Sequence, residues 1–283
     1  MTHQNDNRPL LCVEDLRVTF TTRQTAVPAV RGVSFAMGRE KLGIVGESGS
    51  GKTQIGRAIL GLVSPPGRVE ARKLEFAGKN LLGIGATQWR AIRGNRITMV
   101  MQDPKYSLNP VMPIGRQIAE AYRAHSTAGR AEARRRVLDM LAAVRIRDPE
   151  RVYAAYPHEV SGGMGQRVMI AMMLITEPEL LIADEPTSSL DVTVQLQVLA
   201  ILDDLVSQRG MALILISHDL NLVGSFCDRV LVTYGGRVLE ELNTAELAAA
   251  RHPYTRGLLS CQPQIADKNG PLPVLKREPA WLA

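Results

Sequence analysis

The chain has 283 residues, 45% of them hydrophobic and 22% charged, with a formal net charge of +6. That length suffices for a full buried core and, at roughly 150 residues per domain, suggests about two domains in an ordinary soluble globular protein. The longest apolar runs, such as Met211 to Ile216, fall far short of the ~20 residues that a bilayer span needs, so no membrane crossing is expected.

From the N-terminus, MTHQNDNRPLL has no basic segment leading into a long apolar one, and no secretory signal is expected. Cys12, Cys227 and Cys261 are odd in number, far apart and not spaced as metal ligands, which points to reduced thiols in a cytoplasmic protein. A β-rich opening segment follows, in which Phe20 is the only aromatic before Phe35.

The apolar segment Leu42 to Val45 reads as a buried strand, and Ile55, Ala58, Ile59 and Leu62 recur at helical spacing after it. Between them stands GESGSGKT: Gly46, Glu47, Ser48, Gly49, Ser50, Gly51, Lys52 and Thr53, matching G-x-x-x-x-G-K-[ST] in the strand, turn, helix context of a phosphate loop. Glycines let successive N–H groups turn inward, and a helix beginning near Lys52 adds the positive end of its dipole. Lys52 is placed to reach the β- and γ-phosphates, and the Thr53 hydroxyl to ligate Mg²⁺. By itself the loop leaves kinase, GTPase and transporter motor open.

A strand-and-turn region runs to about residue 90, and a helix-rich insertion from about 105 to 172. Within it AGRAEARRRVLDMLAAV reads as an amphipathic helix, so the basic run Arg130 to Arg136 is taken as a solvated face. No nucleic-acid-binding module is present, and no nucleic-acid partner is expected. Ser161, Gly162 and Gly163 precede the apolar stretch Val168 to Leu174, a helix whose N-terminus would point at an anion; read alone, SGG is also a good capping sequence. Leu180 to Glu185 is an apolar strand ending in two acids, Asp184 to hold Mg²⁺ and Glu185 to polarise the attacking water. Another aliphatic strand ends at His218, and Val230 to Glu240 reads as a hairpin around Gly235 and Gly236. Strands alternating with helices predict an α/β fold with a mainly parallel sheet core, an N-terminal antiparallel β segment and a helical subdomain.

Val160-Ser-Gly-Gly-Met-Gly-Gln-Arg167, lying shortly before Asp184, resembles the signature motif of ATP-binding cassette (ABC) ATPases. The resemblance implies a P-loop NTPase cassette with ATP and Mg²⁺ as cofactors, in which Ser161, Gly162 and Gly163 face the γ-phosphate held by a second cassette. It also implies that Gln102 is the glutamine loop sensing Mg²⁺ and the attacking water, that Ser189-Leu190-Asp191 crosses the dimer interface, and that His218 is the switch histidine. Such a histidine would contact the γ-phosphate and hold Glu185 and water in line. Phe20 stands either as the adenine-stacking ring or as a strand residue facing the core.

Two further stretches narrow the resemblance. Gln102-Asp-Pro-Lys-Tyr-Ser-Leu-Asn-Pro110 and His252-Pro-Tyr-Thr255 are similar to elements of the ATPases that serve dipeptide, oligopeptide and nickel importers. The implied function is an ATP-hydrolysing subunit on the cytoplasmic face of the inner membrane, working with two transmembrane permeases, a second ABC ATPase and, indirectly, an extracytoplasmic binding protein. Gly165 departs from the arginine common in that branch, and Cys261 alone does not make the iron–sulfur cysteine cluster of some relatives. The cassette is expected over residues 10–262, with a short proline-containing tail over 263–283. A non-transport ABC ATPase or a silent regulatory cassette is the alternative. Absent paired cassettes or long coiled-coil inserts weigh against the first, and Lys52, Asp184, Glu185 and His218 against the second.

Overall fold

The opening alternation of apolar and polar residues folds as a twisted antiparallel layer, as half-buried strands do. The computed structural model describes residues 8–22, 25–101, 107–188, 190–261, 278 and 281. The chain divides into two units, Met1–Gly83 with Leu215–Ala283, and Ile84–Ile214.

In the first unit β1 (Leu11–Thr21) pairs antiparallel with β2 (Ala26–Met37). Leu11, Val13, Leu16 and Val18 are buried. The shift from odd to even numbers is accommodated by a register break between Val13 and Leu16, where Asp15 takes a left-handed φ of 51°. The chain continues through β3 (Lys41–Val45), α1 (Lys52–Ile59), β4 (Gly67–Glu70), β5 (Lys73–Phe76) and β6 (Lys79–Asn80). The antiparallel layer has the order β2-β1-β5-β6, with β4 also on β1.

The second unit carries α2 (Ala86–Ile92), β7 (Ile97–Val100), α3 (Ile114–Arg123), α4 (Arg130–Ala143), α5 (Pro149–Ala154), α6 (Gly162–Leu174), β8 (Leu180–Asp184) and α7 (Val192–Arg209). β7 and β8 pair in parallel and are buried along their whole length, the pattern of strands covered on both faces. Helix α4 buries Ala133, Val137, Met140 and Leu141, one stripe at helical spacing. Its arginines lie outward, where Arg134 pairs with Glu150 and Arg136 with Glu177. Exposed pairs of this kind contribute about 0–1 kcal/mol each, so the buried stripe holds the helix.

The strand β9 (Ala212–Ser217) leads back into the first unit, followed by α8 (Leu220–Phe226), β10 (Arg229–Tyr234), β11 (Arg237–Asn243) and α9 (Pro253–Ser260). β10 runs parallel to β3 and antiparallel to β11. The turn between β10 and β11 is Gly235-Gly236, both at positive φ as a two-residue hairpin requires. Gly43 of β3 admits α8, since a Cβ there would stand 2.1 Å from Val223 Cγ1.

One expectation is corrected. Leu62 does not extend the α1 stripe: the helix ends at Ile59, Gly61 turns the chain with φ 60°, and Leu62 is 45% exposed. Among the described residues no helix is long and apolar enough to cross a membrane.

Candidate functional site

The phosphate-loop segment is built by close backbone approach. A Cβ on Gly46 would lie 2.1 Å from the Thr233 carbonyl oxygen, and one on Gly51, at φ 92°, would lie 2.3 Å from that of Ala29. Thr233 Oγ1 donates its proton to the Val45 carbonyl (2.9 Å), so in the 3.1 Å contact between hydroxyls Ser50 is the donor. The Gly236 amide donates to the Ser50 carbonyl (3.1 Å), pinning the loop to the β10–β11 hairpin. Gly49, at φ 84°, has open space around it.

Helix α1 begins at Lys52 itself. Its N-cap, Gly51, offers no side chain to the first-turn amides, and no acidic residue occupies that turn. A positive helix end without a resident carboxylate suits an anion. Lys52 is buried, and its Nζ donates to the carbonyls of Gly46 (2.7 Å) and Glu47 (2.9 Å), which holds the ammonium across the loop. A cation held across a glycine-rich loop at a helix start fits a polyphosphate, and Thr53 adds a hydroxyl in the same first turn.

Gly51→Ala is expected to destabilise the protein by at least about 2 kcal/mol, combining left-handed strain with a clash against a backbone carbonyl. A lowered urea midpoint and weakened ATP binding would report it. Unchanged stability would contradict the tight-loop geometry.

Also in the first unit, His218 follows β9 and is exposed. Its turn is set by Ser217 Oγ, which accepts from the Asp219 amide (3.0 Å), and by Asp219, which caps α8 through the amides of Asn221 and Leu222. Phe20 is half-buried in β1; a Cβ on Gly67 would meet its ring edge at 2.7 Å.

In the second unit Asp184 ends β8 and is 7% exposed. Glu185 follows at φ 45°, a left-handed conformation that costs a non-glycine residue roughly 1–2 kcal/mol. The strain is sustained by its surroundings. The Ser188 amide and hydroxyl both donate to the Glu185 carbonyl at 3.3 Å, and the buried Gln166 side-chain amide donates to the Pro186 carbonyl. Strained acidic residues held by several bonds are a mark of functional sites.

Ser161 is the N-cap of α6, its side chain accepting from the Met164 amide (3.4 Å). Gly162 has nothing within 4 Å of where a Cβ would stand, whereas one on Gly163 would reach 2.8 Å from Val194 Cγ1. The Gly165 amide bonds to the Ser161 carbonyl at 2.8 Å, so the helix runs on through this departure from the family pattern. Asp191 caps α7 through the Val194 amide (3.0 Å).

The described site residues thus fall into two sets. The loop, Phe20 and His218 belong to the first unit; Ser161, Gly162, Gly163, Asp184 and Glu185 belong to the second. Gln102 and Ser189 lie outside the described residues. Thr233, which locks the loop, and Gln166, which bonds the turn after Glu185, were not singled out by sequence reasoning. Gln166 was visible only as a letter within the signature, and Thr233 carries no motif.

The ABC transporter family model matches residues 30–188 of the chain. The probable peptide ABC transporter ATP-binding protein y4tR of Sinorhizobium fredii is 48% identical over 257 residues, covering 90% of this chain and 77% of that protein. The dipeptide transport ATP-binding protein DppD of Escherichia coli is 45% identical over 260 residues, 91% of this chain and 80% of its own length. Among solved structures, a dimeric ATP-binding cassette bound to ADP and Pi after hydrolysis superposes with a TM-score of 0.74 at 24% identity, over 83% of this chain and 98% of that one. This last likeness speaks to the fold, and the sequence matches to descent: the chain belongs to the ABC transporter family, as an ATP-binding subunit with ATPase activity.

Proposed function

We propose that this chain hydrolyses ATP on the cytoplasmic face of the inner membrane to power uptake of peptides, or of a nickel or other metal chelate, through two transmembrane permeases. The observation that carries the reading is the buried Lys52 ammonium folded over a glycine loop at an uncapped, acid-free helix start. Relatives named for peptide and dipeptide transport support the substrate class. The cassette spans residues 10–262, with its helical subdomain at about 105–172, and it pairs with a second ABC ATPase, related or identical.

In this reading Gly46 to Thr53 bind the phosphates, and Phe20 is the candidate for stacking on adenine. Thr53, Asp184 and Gln102 hold Mg²⁺; hydroxyl, carboxylate and amide oxygens are the hard donors that this ion prefers. Mg²⁺ supplies charge neutralisation of the phosphates during in-line transfer. Glu185 accepts a proton from the attacking water, and His218 holds that water and Glu185 in line. Ser161, Gly162 and Gly163 present the start of α6 to the nucleotide of the partner cassette.

The test is ATP-driven uptake in proteoliposomes holding the permeases, both ATPases and the binding protein. Gln102→Ala is expected to keep most of the ATP binding, since Thr53 and Asp184 still hold Mg²⁺, and to lower uptake severalfold, because the glutamine loop that Gln102 resembles also couples the site to the transmembrane partner. Full uptake by that variant would overturn the coupling role.

A further inference from the structure

The Gly46–Glu47 peptide group is held at both of its polar atoms. Its carbonyl oxygen accepts from Lys52 Nζ at 2.7 Å, and its N–H donates to the hydroxyl oxygen of Tyr254 at 3.1 Å. Tyr254 lies in α9, 207 residues further along the chain, and is completely buried. A buried tyrosine hydroxyl ordinarily finds some partner; this one finds the first peptide of the phosphate loop.

The ring beneath that hydroxyl is itself clamped. It packs against Tyr234 at a centroid distance of 4.8 Å and against Trp281 at 5.5 Å. Trp281, only 7% exposed, also meets Tyr234 edge-on at 5.7 Å and His252 at 6.0 Å. The start of α9 is anchored as well. His252 Nδ1 accepts from the Tyr254 amide (3.1 Å), while the amides of Arg251 and His252 donate to the Glu240 carboxylate of β11 at 2.7 and 3.2 Å. Burial acts to raise the Glu240 carboxyl, but its hydrogen bonds, those two amides among them, prevail and hold it below the ordinary carboxylate range. The anchor therefore stays charged at neutral pH.

We propose that Tyr254 is a positioning residue for the phosphate loop, and that Trp281 clamps it, so that α9 and Trp281 belong to the nucleotide-binding apparatus. A peptide plane bonded at one end only rotates about its two flanking dihedrals; bonded at both, it has one orientation. Tyr254 fixes the N–H, which fixes the carbonyl that Lys52 grips, which fixes the ammonium. The inference rests on the nucleotide reading of the loop.

The test uses the full chain and ATP. Tyr254→Phe removes one oxygen and keeps the ring, so it is expected to lower ATP affinity about three- to tenfold, the range of a single neutral hydrogen bond. Sites per chain and the thermal midpoint should stay near the parent values, which separates positioning from unfolding. Trp281→Ala should lower affinity too, and Trp281→Tyr should restore most of it. The chain has two tryptophans, and Trp89 lies in the other unit. In a Trp89→Phe background the emission of Trp281 should therefore shift on adding ATP, and Tyr254→Phe should abolish that shift. Parent affinity in Tyr254→Phe together with ATP-silent Trp281 emission would overturn the inference while leaving the nucleotide reading standing. Absence of ATP binding by the parent chain, or binding indifferent to Lys52→Ala, would overturn both.

Discussion

Glu185→Gln is expected to bind ATP nearly as the parent does and to hydrolyse it at least about a thousandfold more slowly. The amide keeps the length and hydrogen-bonding reach of the carboxylate but cannot take a proton from water, and general-base assistance contributes roughly 10²–10⁴ in rate. A thousandfold loss corresponds to ~4 kcal/mol of barrier. The backbone offers a built-in control. Glu185 sits at φ 45°, held through its own carbonyl by Ser188 and through Pro186 by Gln166, and none of these bonds involves the carboxylate. Glutamine therefore inherits the same backbone turn. With the second cassette supplied, ATP should drive an association that persists, read by crosslinking beside phosphate release. Parent-like turnover from the variant's own loop would transfer the role to His218.

Lys52→Ala is expected to weaken ATP binding by about ten- to a hundredfold and to reduce hydrolysis below detection. Hydrogen bonds to charged groups contribute roughly 1.5–3 kcal/mol each, and the ammonium is the loop's one cation. Removing it also strips the Gly46 and Glu47 carbonyls of the donor they now share. Lys52→Arg should recover little, since a planar guanidinium does not replace a compact point charge inside a closed loop. Equilibrium binding of ATP decides the matter; an affinity equal to the parent's would remove Lys52 from the site.

What was legible in the sequence is what local physics dictates. The octet GESGSGKT, preceded by four apolar residues and followed by a helical stripe, specifies strand, turn and helix because each needs only its own neighbours: glycines for inward amides, a period for a buried face. The stripe of α4, the Gly235-Gly236 turn and the capping serine of α6 are of the same kind. The acids at the end of β8 were readable because four consecutive aliphatic residues, Leu180 to Ala183, have nowhere to go but a covered strand.

Tertiary structure decided the rest, for reasons of distance along the chain. Nothing in the spacing of Gly46 and Thr233, or of Gly163 and Val194, announces that a methyl group has no room between them; that follows from which elements meet. The strain at Glu185 is invisible in the letters ADEP, since it exists only because Ser188 and Gln166 hold the turn against its preference. Leu62 carries the right letter at the right period, yet Gly61 ends the helix before it can be used. And HPYT reads as a helix start, which α9 is, while its tyrosine reaches the phosphate loop only because β11 and the aromatic clamp bring residue 254 to residue 47. Local chemistry writes the parts of this ATPase into its sequence; which part leans on which is settled by burial of side chains that are hundreds of residues apart.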